Sequence, residues 1–162
     1  MNLDSIYNNT EKEFAQICLN KKYSLTHATR DEDIYEHWDW KIKNPKSGKT
    51  SLVDVKGARK KSRSDNELDF NITWLELKNV RGKDGSLLGK ADYIAFEQQG
   101  YFLIVERISL LSWVQGKVTN KKFVEYSRDA KYRYYQRHGR QDVITMVFIS
   151  DIKKDLEYWK FS

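Results

Sequence analysis

The stretch WDWKIKNPKSGKTSLVDVK, running from Trp38 to Lys56, decides the fold. Two runs with a period of two flank residues 44–49 (NPKSGK), a turn that holds the only proline of the chain and a glycine. Alternating runs around such a turn predict a β-hairpin. The first strand is expected over 34–43 (IYEHWDWKIK), alternating around Trp38, Trp40 and Ile42, and the second over 51–56 (SLVDVK). Residues two apart in a strand share a face. Asp54 and Lys56 therefore project together, and Val53 and Val55 point the other way. Asp39 lies fifteen residues before Asp54, and pairing the two strands can set the two carboxylates side by side.

Further elements follow from the hairpin outward. Upstream, Thr10-Glu11-Lys12-Glu13 has the spacing of a capping box, and Phe14, Ile17 and Cys18 recur at helical spacing, so a helix is expected over 11–20. Downstream, 57–69 is polar and reads as loop. Strands are expected over 72–78 (ITWLELK), 93–96 and 101–106, and an apolar one over 143–149 (VITMVFI). The segment 108–116 is ambiguous. Lys121 to His138 reads as a basic helix ending near Gly139, and a short helix is expected at the end of the chain. The order implies one mixed α/β (α+β) domain over 1–162, with a central sheet flanked by helices.

Composition narrows the class. The chain has 162 residues, 40% of them hydrophobic, with one proline and one cysteine. That excludes collagen-like and disordered chains, disulfide scaffolds and cysteine-rich zinc sites. No apolar run approaches the roughly 18 residues that cross a bilayer, and the amino terminus lacks the layout of a secretory signal. An intracellular (cytoplasmic) protein with no membrane partner is the expectation. The net charge is +6, with 5 Trp, 10 Tyr and 7 Phe. Cations attract phosphates and rings stack on bases, so nucleic acid, DNA first, is the partner to consider.

The charge is also segregated. Residues 31–39 (DEDIYEHWD) hold five acids and no Lys or Arg, whereas 56–63 (KGARKKSR) hold five bases and no acid. Two adjacent carboxylates repel unless a cation lies between them. An oxygen-rich pair of this kind suits Mg²⁺ or Mn²⁺, whose remaining coordination positions are filled by water and phosphate oxygens. Lys56, a mobile point charge, could orient a water or stabilise a crowded phosphorus centre.

With His37-Trp38-Asp39 followed by Val53-Asp54-Val55-Lys56, after a helix bearing Glu13, the chain resembles the PD-(D/E)xK nuclease superfamily. Over roughly 10–60 it is most similar to small Holliday-junction resolvases and phage-type endonucleases. The resemblance implies a restriction-endonuclease-like core and Mg²⁺- or Mn²⁺-dependent hydrolysis of DNA phosphodiesters. Asp39, Asp54 and Lys56 would be catalytic, and Asp39, Asp54 and Glu13 would hold the metal. It also allows a homodimer, since small nucleases of this kind often cut two strands with two subunits. Arg59, Lys60, Lys61 and Arg63, with Lys131, Arg133 and Arg137 from the second basic block, are candidate DNA contacts. His37, Glu76, Lys78 and Lys90 are additional candidates. Glu76-Leu77-Lys78 is a rival acid-x-Lys tripeptide, with Asp54 as its partner; hairpin spacing and the upstream helix favour Asp54-Val55-Lys56. A non-catalytic nucleic-acid-binding module or a protein-interaction domain on the same fold is the alternative.

Overall fold

The computed structural model describes residues 8–60, 64 and 66–162. Helix α1 (Asn9–Asn20) is capped by Asn8, whose side chain accepts from Glu11 N at 2.8 Å. The cap thus lies two residues before the expected Thr10. Strands β1 (Ser24–His27), β2 (Trp40–Lys43) and β3 (Thr50–Lys56) form an antiparallel meander. A two-residue ladder, β4 (Arg59–Lys60) with β5 (Leu68–Asp69), occupies part of the segment expected as loop. Then follow β6 (Ile72–Lys78), β7 (Tyr93–Glu97), β8 (Phe102–Glu106), α2 (Arg107–Lys117), β9 (Val143–Phe148), α3 (Ile149–Asp155) and β10 (Trp159–Phe161).

The fold is mixed α+β. A six-stranded sheet runs β1-β2-β3-β7-β8-β10, and among the described residues β3 with β7 is its only parallel pair. β6 and β9 pair antiparallel in a second layer. One sheet face packs against α1: Phe14, Ala15 and Cys18 meet Trp40, Val53, Val55, Ala95 and Phe102. The other face receives the β6–β9 layer and helices α2 and α3, through Leu75, Leu77, Val147, Leu110, Val114 and Ile152. Both faces are covered because β7 and β8 are apolar on both sides, as central strands must be. No helix among the described residues is long and apolar enough to cross a membrane.

Three expectations are corrected. The first hairpin strand spans only Trp40–Lys43. Before it lies one π-helical turn, Glu32–Glu36, closed by His37 in the left-handed region at φ 59°. The reason is visible in the two tryptophans: Trp38 is buried in the β6–β9-side core and Trp40 in the α1-side core. Residues two apart in a continuous strand could not reach opposite faces.

The basic segment 121–138 is not a helix. It runs extended along the free edge of β9, with Tyr132 N donating to Met146 O and Tyr135 N to Ile144 O, both at 2.9 Å. Only Ser127–Asp129 makes a 3₁₀ turn. An unpaired strand edge offers this chain the backbone partners that a helix would have supplied internally. Lastly, β1 was not expected, and the terminal region adds β10 after the short helix α3.

Phe14 anchors α1, stacking edge-on against Phe102 with ring centroids 5.4 Å apart and lying fully buried. Phe14→Ala is expected to cost about 3–5 kcal/mol of stability, the range for emptying a buried aromatic site. A urea unfolding curve would show it as a lower midpoint at unchanged slope.

Candidate functional site

Asp39 stands one residue before β2, and the pairing of Trp40 with Val53 places it opposite Asp54. Its N–H donates to Val53 O at 2.9 Å, and its Oδ2 accepts from Val55 N at 2.7 Å. The Asp39 side chain thus takes the place of a main-chain carbonyl in the ladder, which fixes it against β3. Val53 and Val55 belong to the α1-side core, so alternation turns Asp54 and Lys56 to the opposite face. Asp54 is 4% exposed. The Lys56 ammonium lies 2.9 Å from Asp54 Oδ2, an ion pair off the line of a hydrogen bond. The structure therefore brings Asp39, Asp54 and Lys56 together.

The helix supplies a third carboxylate, but from Glu11. Glu13 faces solvent. Glu11 shares the buried stripe of Phe14, Ala15 and Cys18 and lies within hydrogen-bonding reach of Asp39. Its Oε2 is also 3.8 Å from His27 Nε2. His27 Nδ1 sits 2.8 Å from Ala28 O. A carbonyl only accepts, so Nδ1 carries a proton and the ring is oriented with Nε2 toward Glu11. The signal for Glu11 was present in the sequence, three, four and seven residues before that stripe. His27 gave none, because β1 was unforeseen.

Electrostatics follow from burial. Burial raises the Asp39 carboxyl to about 7, with the Glu11 charge adding to it and the Val55 N–H and Lys56 opposing. Burial raises Asp54 to about 6, with Lys56 opposing and Asp39 adding. Burial pulls the Lys56 ammonium down, but the charges of Asp54, Asp39 and Glu76 outweigh it and hold the group above its ordinary value. Cys18, by contrast, is buried in the core and its thiol is pushed up to about 12, so it is no nucleophile.

Beside the carboxylates opens a cleft of about 350 Å³ whose lining includes Lys56, Arg59, Trp74, Glu76, Tyr135 and Arg137. Trp74 and Tyr135 lie with ring centroids 6.2 Å apart. Arg137 is clamped by the fully buried Asp142, which accepts from its Nε at 2.5 Å and from its N at 3.0 Å. Trp74 shares strand parity with Glu76, which would have pointed to it.

The remaining candidates disperse. Arg59 and Lys60 are exposed on β4; Lys61 and Arg63 lie outside the described residues. Lys131 is exposed and sits 4.4 Å over the Phe148 ring. Arg133 is half-buried, with Nε lacking a hydrogen-bond partner. His37 Nε2 donates to Asp84 O at 2.8 Å, and Lys90 pairs with Glu36 at 3.0 Å; both contacts brace the turn before β2. Glu76 faces Lys56, whereas Lys78 is exposed beyond a break in register between the two. The Glu76-Leu77-Lys78 tripeptide is thus split, and Asp54-Val55-Lys56 is the one that lies beside Asp39.

Glu11, Asp39 and Asp54 supply hard oxygen donors of the kind that Mg²⁺ and Mn²⁺ take. Among the described residues no three His, Cys, Asp or Glu side chains already stand in a ligating arrangement. Asp39 is held instead by the Val55 N–H and Asp54 by the Lys56 ammonium. Comparison with family models, with curated proteins and with solved structures returned no match.

Carboxyl groups raised in the folded state bind more protons there than when unfolded. Their contribution to stability is complete below about pH 4 and is lost as pH rises through about 6 to 7. In the presence of EDTA the melting temperature should therefore carry a component that falls between about pH 4 and pH 7, the interval between the ordinary and the raised carboxyl values. Asp39→Asn should flatten that component in thermal melts across the same pH series.

Proposed function

We propose that this protein is a metal-dependent nuclease that hydrolyses phosphodiester bonds of nucleic acid, DNA in particular. One observation carries the reading: Asp39 and Asp54 converge on Lys56, with Glu11 beside Asp39, next to a cleft that holds arginines and aromatic rings. The residue order helix-Glu, Asp, Asp-x-Lys is the one for which the chain resembles PD-(D/E)xK nucleases.

Under this reading Glu11, Asp39 and Asp54 hold the cation, which supplies charge neutralisation at the phosphodiester and activation of a water. Arg59 and Arg137 meet phosphate oxygens; Arg137, already oriented by Asp142, offers a donor fork of fixed direction. Trp74 and Tyr135 offer ring faces to bases, a sequence-tolerant contact. Lys56, a third exposed at the cleft, presents its ammonium to the oxygens on which charge collects. Each chain carries one such centre, so cutting both strands of a duplex calls for a homodimer or two successive encounters.

The test is cleavage of labelled single-stranded, duplex and branched DNA, and of RNA, with Mg²⁺, Mn²⁺ or EDTA. Activity is expected only with the divalent ions. Asp54→Asn, Glu11→Gln and Lys56→Met should each lower it by about 10²–10⁴-fold while circular dichroism stays unchanged, and Glu13→Gln should leave it intact. Full activity in Asp54→Asn or Lys56→Met would remove the assignment. The preformed Lys56–Asp54 pair favours one other reading, a site that binds nucleic acid without cutting it. Steeply salt-dependent binding with no cleavage under either ion would establish that reading instead.

A further inference from the structure

The opposite sheet face carries a second hollow, about 470 Å³ in volume, at the far end of β3 from Lys56. Helix α1 reaches only its margin, through Phe14. Its walls are apolar and largely aromatic: Phe14, Ile42, Val53, Ile104, Trp159 and Phe161. Tyr93 and Trp159 stand perpendicular with centroids 6.0 Å apart, and Trp159 is 46% exposed. The volume falls within the range of small-ligand pockets.

The polar groups of this hollow are biased toward donation. Tyr23 Oη accepts from Asn44 Nδ2 and Tyr93 Oη from Lys49 Nζ, each at 3.1 Å. Both hydroxyls therefore retain their own proton for donation. Asn44 and Lys49 are joined across the β2–β3 turn by Asn44 N donating to Lys49 O at 2.9 Å, so one turn holds both donor sets. Ser47 and Ser51 add hydroxyls to the lining. The acceptor of Asn44 is already taken by the Lys46 and Ser47 N–H groups. Among the described residues no Asp or Glu lines the hollow; Asp92 and Glu106 lie with Lys49 in a neighbouring depression.

We infer that this hollow is a binding site for a small planar apolar carboxylate, its ring between Tyr93, Trp159 and Phe161 and its carboxylate on the Tyr23 and Tyr93 hydroxyls and the Lys49 ammonium. Lys160 also lines the hollow but sets its ammonium 5.1 Å over the Tyr101 ring, so the Lys49 ammonium with its neutral donors is what matches a carboxylate, and the ring-lined walls match a flat body. The inference is independent of nuclease activity, since no residue of the carboxylate cluster lines the hollow.

Titration of the ¹⁵N-labelled full chain with 2-naphthoate, and in parallel with the neutral 2-naphthamide, tests it. Expected is saturable movement of the Lys49, Ser51, Tyr93 and Trp159 amide signals with naphthoate, and binding of naphthamide weaker by about tenfold or more, the loss typical of a charge-assisted hydrogen bond. Lys49→Met should weaken naphthoate to a similar degree. Tyr93→Phe and Tyr23→Phe provide milder variants whose unchanged spectra elsewhere show an intact fold. Equal affinity for the two probes, shifts centred on the Trp74–Tyr135 cleft, or no saturation would each overturn the assignment.

Discussion

Three carboxylates are confined with one ammonium at the end of β3, and much of the molecule is arranged around that conflict. Asp39 and Asp54, with Glu11 beside the first and Glu76 facing Lys56, leave the site with excess negative charge in a place where solvent screens poorly. The chain alone resolves the excess by raising the Asp39 and Asp54 carboxyls toward neutrality. A divalent cation, as proposed above, would be the other resolution. Burying Asp54 without either would be strongly unfavourable. The cluster is affordable only because backbone geometry imposes it: the β2–β3 register places Asp39, alternation along β3 places Asp54 and Lys56, and the apolar stripe of α1 places Glu11.

How far this arrangement could be read in advance depends on the range of the cause. Strand parity and hairpin register are local, and Val53-Asp54-Val55-Lys56 displayed them openly. The helix carboxylate is equally local: the Thr10 capping pattern singles out Glu13, whereas the stripe Phe14, Ala15, Cys18 points back to Glu11. The segment 121–138 is different in kind. Its alternation of cations and tyrosines fits a helix surface as well as a strand, and its conformation is set by a remote fact, the unpaired edge of β9 at Ile144 and Met146. Trp38 and Trp40 teach the same lesson: their common parity suggested one face, but two separate cores claimed one ring each.

β3 also divides the two faces of the sheet between two chemistries. Its residues Ser51 and Val53 line the donor-rich aromatic hollow, whereas Lys56 lines the basic cleft. Because the strand is a central one, paired on both sides by β2 and β7, its backbone cannot yield readily on one face without moving the other. Substitutions at Val53 would be felt at both sites through this shared rigidity, a coupling by packing that calls for no conformational switch.

The protonation state of Lys56 limits its part in any hydrolysis. A lysine can serve as general base only when its pKa falls toward neutrality, which needs burial without a compensating anion. Here the anion is present: Asp54 lies 2.9 Å away, Asp39 and Glu76 add their charge, and the ammonium is held above its ordinary value. Lys56 therefore remains a cation at neutral pH and acts as a hydrogen-bond donor and charge stabiliser. The groups poised to take up a proton near neutrality are the raised carboxyls, Asp39 above all.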